Sequence, residues 1–279
     1  MKTLSIIGAG KVGKVFGRCF HQRSVFDITQ VLNRHMTSSL AACQFIDVPA
    51  HVAVTGFTHL TPSDIWMLAV GDDQIAAVCD SLHQQNLLHA ESIIFHCSGS
   101  KPSTVLSTAM LRGAAVASIH PVASFADPKH VAENFEGTIC SIEGDPRALA
   151  ALVPALSTIG ARVAQISAES KLLYHAGSVF ASNYLVTLLD TALRSYQAAG
   201  IPDELALAMA APLARQSMEN VFAMGASSAL TGPIARGDMK TVIQQQTVVA
   251  QWDTNAGALY QAFVPPTQVL AAIKHHSEK

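Results

Sequence analysis

Charged residues are scarce in this chain of 279 residues: Asp, Glu, Lys and Arg make up 14% of it, and the formal net charge is −2. So weak a net field would not recruit nucleic acid or an anionic membrane surface, and we expect neither as a partner. The five cysteines are scattered without a CxxC pair, which is not the spacing of a metal site or a disulfide framework. We therefore expect no bound metal and a reduced, cytoplasmic protein.

A long uninterrupted hydrophobic run is also missing. The stretch AGSVFASNYLVTLLD (176–190) contains polar residues and ends at an aspartate, which argues against a membrane span. The start, MKTLSIIGAG, reaches its glycines too early for a secretory signal. Since 49% of the residues are hydrophobic, the chain has ample material for a core, and we expect its ligand to be a small molecule.

Short β-like runs alternate with helical stretches in the first part of the chain. Such alternation is typical of a mostly parallel sheet covered by helices. We therefore predict an α/β fold with a doubly wound, mostly parallel sheet in a domain over residues 1–166. The predicted strands are 3–7, 27–32, 64–70, 92–97, 114–119, 137–142 and 161–166, and the predicted helices are 11–22, 73–85, 103–111 and 146–159.

The strand pattern does not return after residue 170. Helices are predicted over 171–199 and 203–225, followed by a loop over 230–238 and two further helices. We predict an all-α second domain over 167–279 that binds substrate and forms a homodimer. The dimer is expected because the apolar residues of 203–225 cover more than one narrow stripe.

A glycine-rich turn, IIGAGKVGKVFG, directly follows the first predicted strand and opens the first helix. Gly8 allows the tight turn, Gly10 lets a pyrophosphate approach the backbone, and Gly13 lets helix and strand pack closely. Free N–H groups at the helix start then meet the phosphates. This context predicts a dinucleotide site rather than a merely structural turn. Its predicted cofactor-binding residues are Gly8, Ala9, Gly10, Lys11, Val12 and Gly13.

The second predicted strand ends at Asn33 and Arg34, twenty and twenty-one residues after Gly13. An NAD site favours Asp or Glu at this point, whereas a guanidinium can hold the 2′-phosphate of NADP by charge-assisted hydrogen bonds. Hydroxyls at 37–39 can add further donors. The alternative is that Arg34 is a solvated loop residue. We predict NADP (NADPH) as the cofactor.

Ligands in such sheets bind beyond the carboxyl ends of the strands, so the residues after each strand are candidates. The small segment Ala69-Val70-Gly71 would let the cofactor lie against the chain, and Ser98 and Gly99 follow the next strand. His120 directly follows a later strand, where it can donate a proton or orient a substrate carbonyl. The alternative for His120 is a partly buried histidine that is bonded to backbone.

The helix that begins the second domain carries a polar stripe. Lys171 and His175 lie four residues apart on one face, and Asn183 lies at its border. We expect this stripe to face a wet cleft or a ligand, the alternative being simple amphipathicity. In the loop LTGPIARGD, Arg236 can clamp a carboxylate and Thr231 can hydrogen-bond to it, unless the loop merely connects two helices.

The motifs GAGKVG, NR, LAVGDDQI, HCSGS, IHPVASF, YHAGSVFASN and LTGPIARGD span nearly the whole chain in that order. In this combination the chain resembles the Rossmann-like proteins with a DUF2520 C-terminal domain, within the 6-phosphogluconate-dehydrogenase-like group. The resemblance implies an N-terminal NADP-binding domain, a helical C-terminal domain that builds a homodimer, and an active site between them.

Related families include pyrroline-5-carboxylate reductases, 3-hydroxyisobutyrate dehydrogenases and ketopantoate reductases. Hydroxyisobutyrate-type enzymes carry a lysine and, one turn later, an asparagine on the first interdomain helix. Lys171 matches that lysine, but one turn later this chain has His175, and the asparagine is Asn183. The predicted catalytic residues are therefore Lys171, His120, His175 and Asn183, with the proton donor left open among the first three.

The leading hypothesis is an NADPH-dependent oxidoreductase that reduces a small carbonyl acid, such as a ketopantoate-like 2-oxo acid, by hydride transfer in the interdomain cleft. Lys171 or a histidine would protonate or polarise the oxygen. The predicted substrate-binding residues are Ser98, His120, Thr231 and Arg236. Two alternatives stay open: an imine reductase of the pyrroline-5-carboxylate type, and a non-catalytic protein that binds and senses NADP.

Overall fold

The computed structural model describes residues 1–277 and divides into two compact units. Unit 1 is Met1–Ala181, and unit 2 begins at Ser182. The predicted domain boundary between residues 166 and 167 lies before this division and stays a prediction.

Unit 1 is built on one eight-stranded sheet with the strand order β3-β2-β1-β4-β5-β6-β7-β8. Neighbouring strands are parallel except β6 and β7, which are antiparallel. This confirms the predicted α/β class. The direction of the strand order changes between β1 and β4, and open sheets of this kind bind ligands at such a switch point. The strands are β1 Thr3–Ile7, β2 Asp27–Leu32, β3 Ala53–Val54, β4 Ile65–Leu68, β5 Ile93–His96, β6 Ala115–Pro121, β7 Ile139–Gly144 and β8 Arg162–Gln165.

Helices connect most of these strands. One of them, α2, occupies a stretch for which no element was predicted, because its apolar residues do not gather on one stripe. The helices of unit 1 are α1 Lys11–Gln22, α2 Met36–Ile46, α3 Ile75–Gln84, α4 Ser107–Met110, α5 Pro128–Glu133, α6 Pro146–Thr158 and α7 Lys171–Val179.

Both faces of the sheet are buried, and alternate residues of a strand serve different cores. On β4, Ile65 and Met67 belong to one hydrophobic cluster, whereas Trp66 and Leu68 belong to the other. Successive side chains of a strand point to opposite faces, so a strand covered on both sides reads as a continuous apolar run. The run DIWMLAV in the sequence has this origin.

Unit 2 is helical, as predicted. A π-helical segment, Phe180–Tyr184, leads out of α7 into α8, and α9 runs without a break through Pro212. The helices are α8 Leu185–Ala198, α9 Asp203–Met224, α10 Ala226–Ala229, α11 Met239–Trp252 and α12 Thr254–Ser277.

One helical stretch of the described chain, Lys171–Ala198, is long and apolar enough to meet the criterion of a membrane span, with a mean hydropathy of 1.2. A single such helix is a weak indication, because core helices of soluble proteins meet the same criterion. Its first residue, Lys171, is buried and hydrogen-bonded to the sheet of unit 1.

Candidate functional site

The glycine turn between β1 and α1 has the packing that the sequence predicts. Gly8 has a φ of +83°, and its N–H donates to Leu32 O at 2.8 Å, which ties the turn to β2. A Cβ on Gly8 would lie 2.8 Å from Ala69 O, and one on Gly13 would lie 2.6 Å from Gly8 O. Side chains are thus excluded at both positions. A Cβ on Gly10, in contrast, would meet nothing within 4 Å, so space is open in front of that residue.

The start of α1 faces this space with free donors. The helix begins at Lys11, its N-cap is Gly10, no side chain caps it, and its first turn has no acidic residue. The N–H groups of Lys11, Val12 and Gly13 have no carbonyl partner within the helix. Such an end attracts phosphate through its N–H groups and the positive end of the helix dipole. The turn therefore fits a dinucleotide pyrophosphate.

The end of β2 offers polar nitrogen and no carboxylate. Arg34 is exposed there, and Asn33 Nδ2 is buried and has no hydrogen-bond partner within residues 1–277. Ser39 Oγ accepts the N–H of Asn33 and donates to Val54 O, both at 2.9 Å, so its hydroxyl is already engaged. Of the hydroxyls predicted as extra donors, those of Thr37 and Ser38 are exposed. This end fits a 2′-phosphate better than a bare ribose hydroxyl pair.

A cavity of about 270 Å³ lies at the carboxyl ends of β4, β5 and β6, next to the glycine turn. Such a volume is near the lower end of small-molecule sites. Several residues predicted as cofactor-binding or catalytic line it: Val12, Ala69, Val70, Ser98, Gly99, His120 and His175. The remaining lining residues are Asp72, Cys97, Pro121, Ala123 and Phe125.

His120 is held by a tyrosine of α7. Its Nδ1 lies 2.9 Å from the Tyr174 hydroxyl, and the two rings meet edge to face at 86°. Burial, and then the neighbouring His175 and Lys171, lower the pKa of His120 to about 4. Burial also raises the pKa of Tyr174, so the phenol keeps its proton. At neutral pH, His120 is therefore a neutral imidazole whose other nitrogen, Nε2, is left for the cavity.

His175, one residue after Tyr174, brings a second imidazole to the cavity. The centroids of the His175 and His120 rings lie 5.3 Å apart, and the angle between the two ring planes is 82°. The Nδ1 atom of His175 is buried without a hydrogen-bond partner among the described residues. A Cβ on Gly99 would overlap this atom and come within 2.9 Å of His120 Nε2. Both histidines thus face the same small space beside Gly99.

Lys171 lies behind the cavity rather than in its lining. Its side chain is 1% exposed, and Nζ donates to Ser118 Oγ at 2.7 Å and to Ser98 O at 3.2 Å. Glu143 Oε1 lies 4.0 Å from Nζ and also accepts the N–H of Ser103 at 2.6 Å. Burial lowers the pKa of Lys171, against the attraction of Glu143 and of a more distant aspartate, Asp72.

The loop after β5 is held by further hydrogen bonds. Ser98 N–H donates to His96 Nδ1 at 3.2 Å, and His96 Nε2 lies 3.2 Å from Pro102 O, which makes His96 a neutral imidazole with its proton on Nε2. Burial lowers its pKa to about 4. Ser100 Oγ donates to Asp72 Oδ2 at 2.6 Å. Partial burial alone would raise the pKa of Asp72, but hydrogen bonds from serines hold it below its ordinary value, so a carboxylate lines the cavity.

Three predicted residues, Asn183, Thr231 and Arg236, belong to unit 2, and all three are exposed. Their predicted roles in catalysis and substrate binding stay predictions. Gly71, also predicted, is exposed just after β4.

Sequence reasoning assigned no role to Tyr174, Asp72 or Glu143. The signal for Tyr174 was its place in YHAG, one residue before a predicted catalytic histidine. Asp72 stood in the motif LAVGDDQI at a strand end. Glu143 lies within a strand and carried no local signal, because its partner Ser103 is forty residues away.

Two family descriptions match the chain: a Rossmann-like domain over residues 2–121, and a domain of unknown function, DUF2520, over residues 138–265. None of the curated proteins compared with the chain matches it.

Solved structures share the fold over nearly the full length. TM1727 from Thermotoga maritima is 24% identical, with 98% of this chain and 99% of that chain covered and a TM-score of 0.74. BF3122, a proposed NADP oxidoreductase from Bacteroides fragilis, is 20% identical, with 96% and 98% covered and a TM-score of 0.77. An imine reductase from Myxococcus stipitatus, in complex with NADP+, is 16% identical, with 93% and 92% covered and a TM-score of 0.64. Along this chain a Rossmann-like domain thus precedes a DUF2520 domain.

Proposed function

We propose that this protein is an NADPH-dependent oxidoreductase that reduces the carbonyl group of a small acid. The observation that carries the proposal is the cavity itself, which is lined both by Val12 of the glycine turn and by His120 and His175. A nucleotide bound at the turn would thus reach the cavity that holds the titratable groups. Structures of the same fold support the cofactor, since the imine reductase was solved with NADP+ and BF3122 is a proposed NADP oxidoreductase.

The end of β2 supports NADP over NAD. Arg34 supplies a positive charge, and Asn33 supplies a buried Nδ2 that has no hydrogen-bond partner in the described part of the chain. An unsatisfied buried donor costs about 1–3 kcal/mol, so a phosphate oxygen or ribose hydroxyl that accepts from it is favoured. A carboxylate, which would repel a 2′-phosphate, does not occur between Leu32 and Leu40.

The reduction needs a hydride and a proton. NADPH, when bound, supplies the hydride to the carbonyl carbon. We assign the Tyr174 hydroxyl as the donor in its 2.9 Å hydrogen bond with His120 Nδ1, which keeps the ring proton on Nε2, the nitrogen that faces the cavity. A neutral imidazole N–H can polarise a carbonyl by hydrogen bonding. As the C=O π electrons move onto oxygen, this oxygen takes the Nε2 proton while the Tyr174 hydroxyl passes its proton to Nδ1, so that the imidazole stays neutral and solvent returns a proton to the phenol.

Lys171 has a different role in this proposal from the one the sequence suggested. Its ammonium is engaged with Ser98 O and Ser118 Oγ, and it does not line the cavity. These contacts favour positioning of the Ser98-Gly99 backbone over proton donation. Asn183 remains a proposed catalytic residue, and Thr231 and Arg236 remain proposed substrate-binding residues. Arg236 matters most, because none of the described residues lining the cavity is Lys or Arg.

A homodimer formed through unit 2 and a cytoplasmic location complete the proposal. Phe222, Leu213 and Leu207 of α9 are 85%, 61% and 57% exposed. Apolar surface of this extent marks an association surface. The five cysteines are free thiols, as suits a reducing compartment.

Nucleotide titration tests whether the protein binds NADPH and prefers it to NADH. Purified protein should bind NADPH about 10–100-fold more tightly than NADH, because a charge-assisted phosphate contact contributes about 1.5–3 kcal/mol. Arg34→Asp should remove or reverse this preference and leave the unfolding midpoint unchanged. Arg162→Asp, at an exposed arginine of β8, is the matched control and should keep the preference. Binding of neither nucleotide by the wild type, or tighter NADH binding, would refute the cofactor.

Turnover tests the reaction. NADPH oxidation is followed with a panel of 2-oxo acids and cyclic imines, and His120→Asn should abolish it. A second candidate, an imine reductase of the pyrroline-5-carboxylate type, is favoured by Asp72, because a carboxylate in the cavity suits a protonated imine. Reduction of imines alone would establish that candidate. Tight NADPH binding without consumption by any compound would instead indicate an NADP-sensing protein.

A further inference from the structure

We propose that the oxygen of the substrate's reacting carbonyl is held in a gap between two imidazole nitrogens, His120 Nε2 and His175 Nδ1, which can both lie close to residue 99 because that residue is glycine. The inference rests on the proposed reduction and narrows its substrate class to carbonyl compounds. It also makes Gly99 a residue that determines substrate access rather than cofactor binding.

Steric crowding around Gly99 places the two imidazoles beside the same residue. The Cβ position of Gly99 would overlap His175 Nδ1 and lie 2.9 Å from His120 Nε2 and 3.0 Å from its Cδ2. A nitrogen of each ring therefore lies beside the backbone of Gly99, and the two rings meet there in nearly perpendicular planes, at 82°. A methyl group at position 99 would press on both nitrogens and displace them from the places where they would bind the oxygen.

Each of the two imidazoles has a ring nitrogen that is available to bind a substrate atom. His175 Nδ1 is buried without a partner in the part of the chain that the structure describes, and buried polar atoms usually have one. His120 uses Nδ1 for Tyr174, which leaves Nε2 for the gap. A substrate atom between the two nitrogens would satisfy both rings at once.

The backbone at Gly99 cannot easily retreat from the gap. The preceding carbonyl, Ser98 O, accepts from Lys171 Nζ and from Ser118 Oγ, each at 3.2 Å. Ser98 Oγ accepts from the N–H groups of Ser100 and Lys101 at 3.2 and 3.0 Å. Since the loop is held on both sides of Gly99, a side chain added there must push against the two imidazoles.

The number of lone pairs selects the substrate class. A carbonyl oxygen has two lone pairs and can accept from two N–H donors, whereas an imine nitrogen has one and cannot. With its proton on Nδ1, His175 is the second donor beside His120. The pair then stabilises negative charge that develops on the oxygen during reduction, as preorganised donors do in other enzymes.

Gly99→Ala is the main test, with Gly177→Ala as its control. Gly177 lies on α7 near both His175 and Tyr174, but a Cβ there would meet nothing within 4 Å. We expect Gly99→Ala to lower kcat/KM for the best carbonyl compound of the panel at least about 100-fold, the range seen when an oxyanion donor is lost. NADPH affinity and the unfolding midpoint should stay as in the wild type. Weakened NADPH binding with unchanged kcat would overturn the proposal.

A double-mutant cycle tests whether Gly99 and His175 serve the same gap. His175→Ala alone should lower kcat/KM about 10–100-fold. Gly99→Ala with His175→Ala should be no worse than Gly99→Ala alone, because residues in contact are not additive. Additive losses would mean that the two residues act separately.

A binding measurement decides the proposal without turnover. Oxamate, an unreactive analogue of a 2-oxo acid, is added to protein with 15N-labelled histidines in the presence of NADP. Saturation should shift the imidazole resonances of both His120 and His175 in the wild type and of neither in Gly99→Ala. Movement of one ring only, or of neither, overturns the two-imidazole site. If no compound of the panel is reduced while both rings respond to oxamate, the proposed function has failed and the binding site stands.

Discussion

Unit 1 completes its own core, whereas unit 2 does not. The two clusters of unit 1 bury large side chains such as Trp66, Phe16 and Phe95 almost completely. In unit 2 the buried residues of the described chain are mostly alanines, together with Val242, while Phe222 is 85% exposed. The difference is what the proposed division of roles requires, in which unit 1 binds the nucleotide and unit 2 supplies apolar surface for the proposed dimer.

A charged pair of unit 1 is buried, whereas charged pairs of unit 2 are partly exposed to solvent. Lys171 and Glu143 of unit 1 are buried and satisfied within a network. In unit 2, Arg194 pairs with Asp190 and Asp253 at 2.9 Å, but its side chain is 44% exposed. Water screens such a pair, so it contributes little, whereas breaking a buried pair leaves an uncompensated charge.

The largest expected effect comes from breaking the buried network. Lys171→Met leaves the Glu143 carboxylate buried without its ammonium, and should lower the free energy of unfolding by about 3–5 kcal/mol in urea titrations. Arg194→Met is the matched variant of unit 2 and should cost less than about 1 kcal/mol. Lys171→Met combined with Glu143→Gln should recover part of the loss. If Lys171→Met and Arg194→Met lowered the free energy of unfolding equally, the contrast between the two units would be wrong.

The next effect concerns association. Phe222→Glu places a charge on the exposed apolar face of α9 and should weaken the dimer about 10–100-fold, since burying such a side chain contributes about 1.5–3 kcal/mol. Light scattering at micromolar concentration should then show a monomer with an unchanged unfolding midpoint. Leu111→Glu changes an equally exposed apolar residue of unit 1, 78% accessible, and should leave the dimer intact. A wild-type monomer would refute the expectation.

The smallest effect is the response of unit 1 to mild acid. The pKa values of His96 and His120 are lowered, chiefly by burial, from 6.5 to about 4. Between these pH values the unfolded chain binds protons that the folded chain does not, so the free energy of unfolding falls as pH falls and levels off below about 4. From pH 7 to 6 the loss should be about 1 kcal/mol.

Urea titrations at several pH values measure how steeply the free energy of unfolding depends on pH. Histidine NMR then shows which imidazoles cause this dependence. His96→Gln should make the slope shallower, because it removes one of the two groups. A stability that stays constant or rises on acidification would show that the two imidazoles are not held neutral.

Prediction from the sequence succeeded where the determinants are local. The glycine turn, β1, α1 and β2 follow from glycine spacing and a short apolar run, and the structure places these elements as predicted. It failed at α2, because the apolar residues of this helix form no periodic stripe in the sequence. Tertiary packing stabilises the helix instead. Contacts across long separations were also out of reach: Tyr174 meets His120 fifty-four residues away.

The sequence by itself determined the order of the elements, the glycine turn and the polar residues that follow the strands, because backbone propensity and hydrophobic period act over a few residues. Only the tertiary structure decided which polar residues of α7 are buried against the sheet and which reach the cavity. Lys171 and His175 share a helix face, yet Lys171 is buried against Ser98 and Ser118 while His175 reaches the cavity. That choice depends on how α7 is rotated and tilted on the sheet, and packing across distant segments, rather than local pattern, sets this orientation.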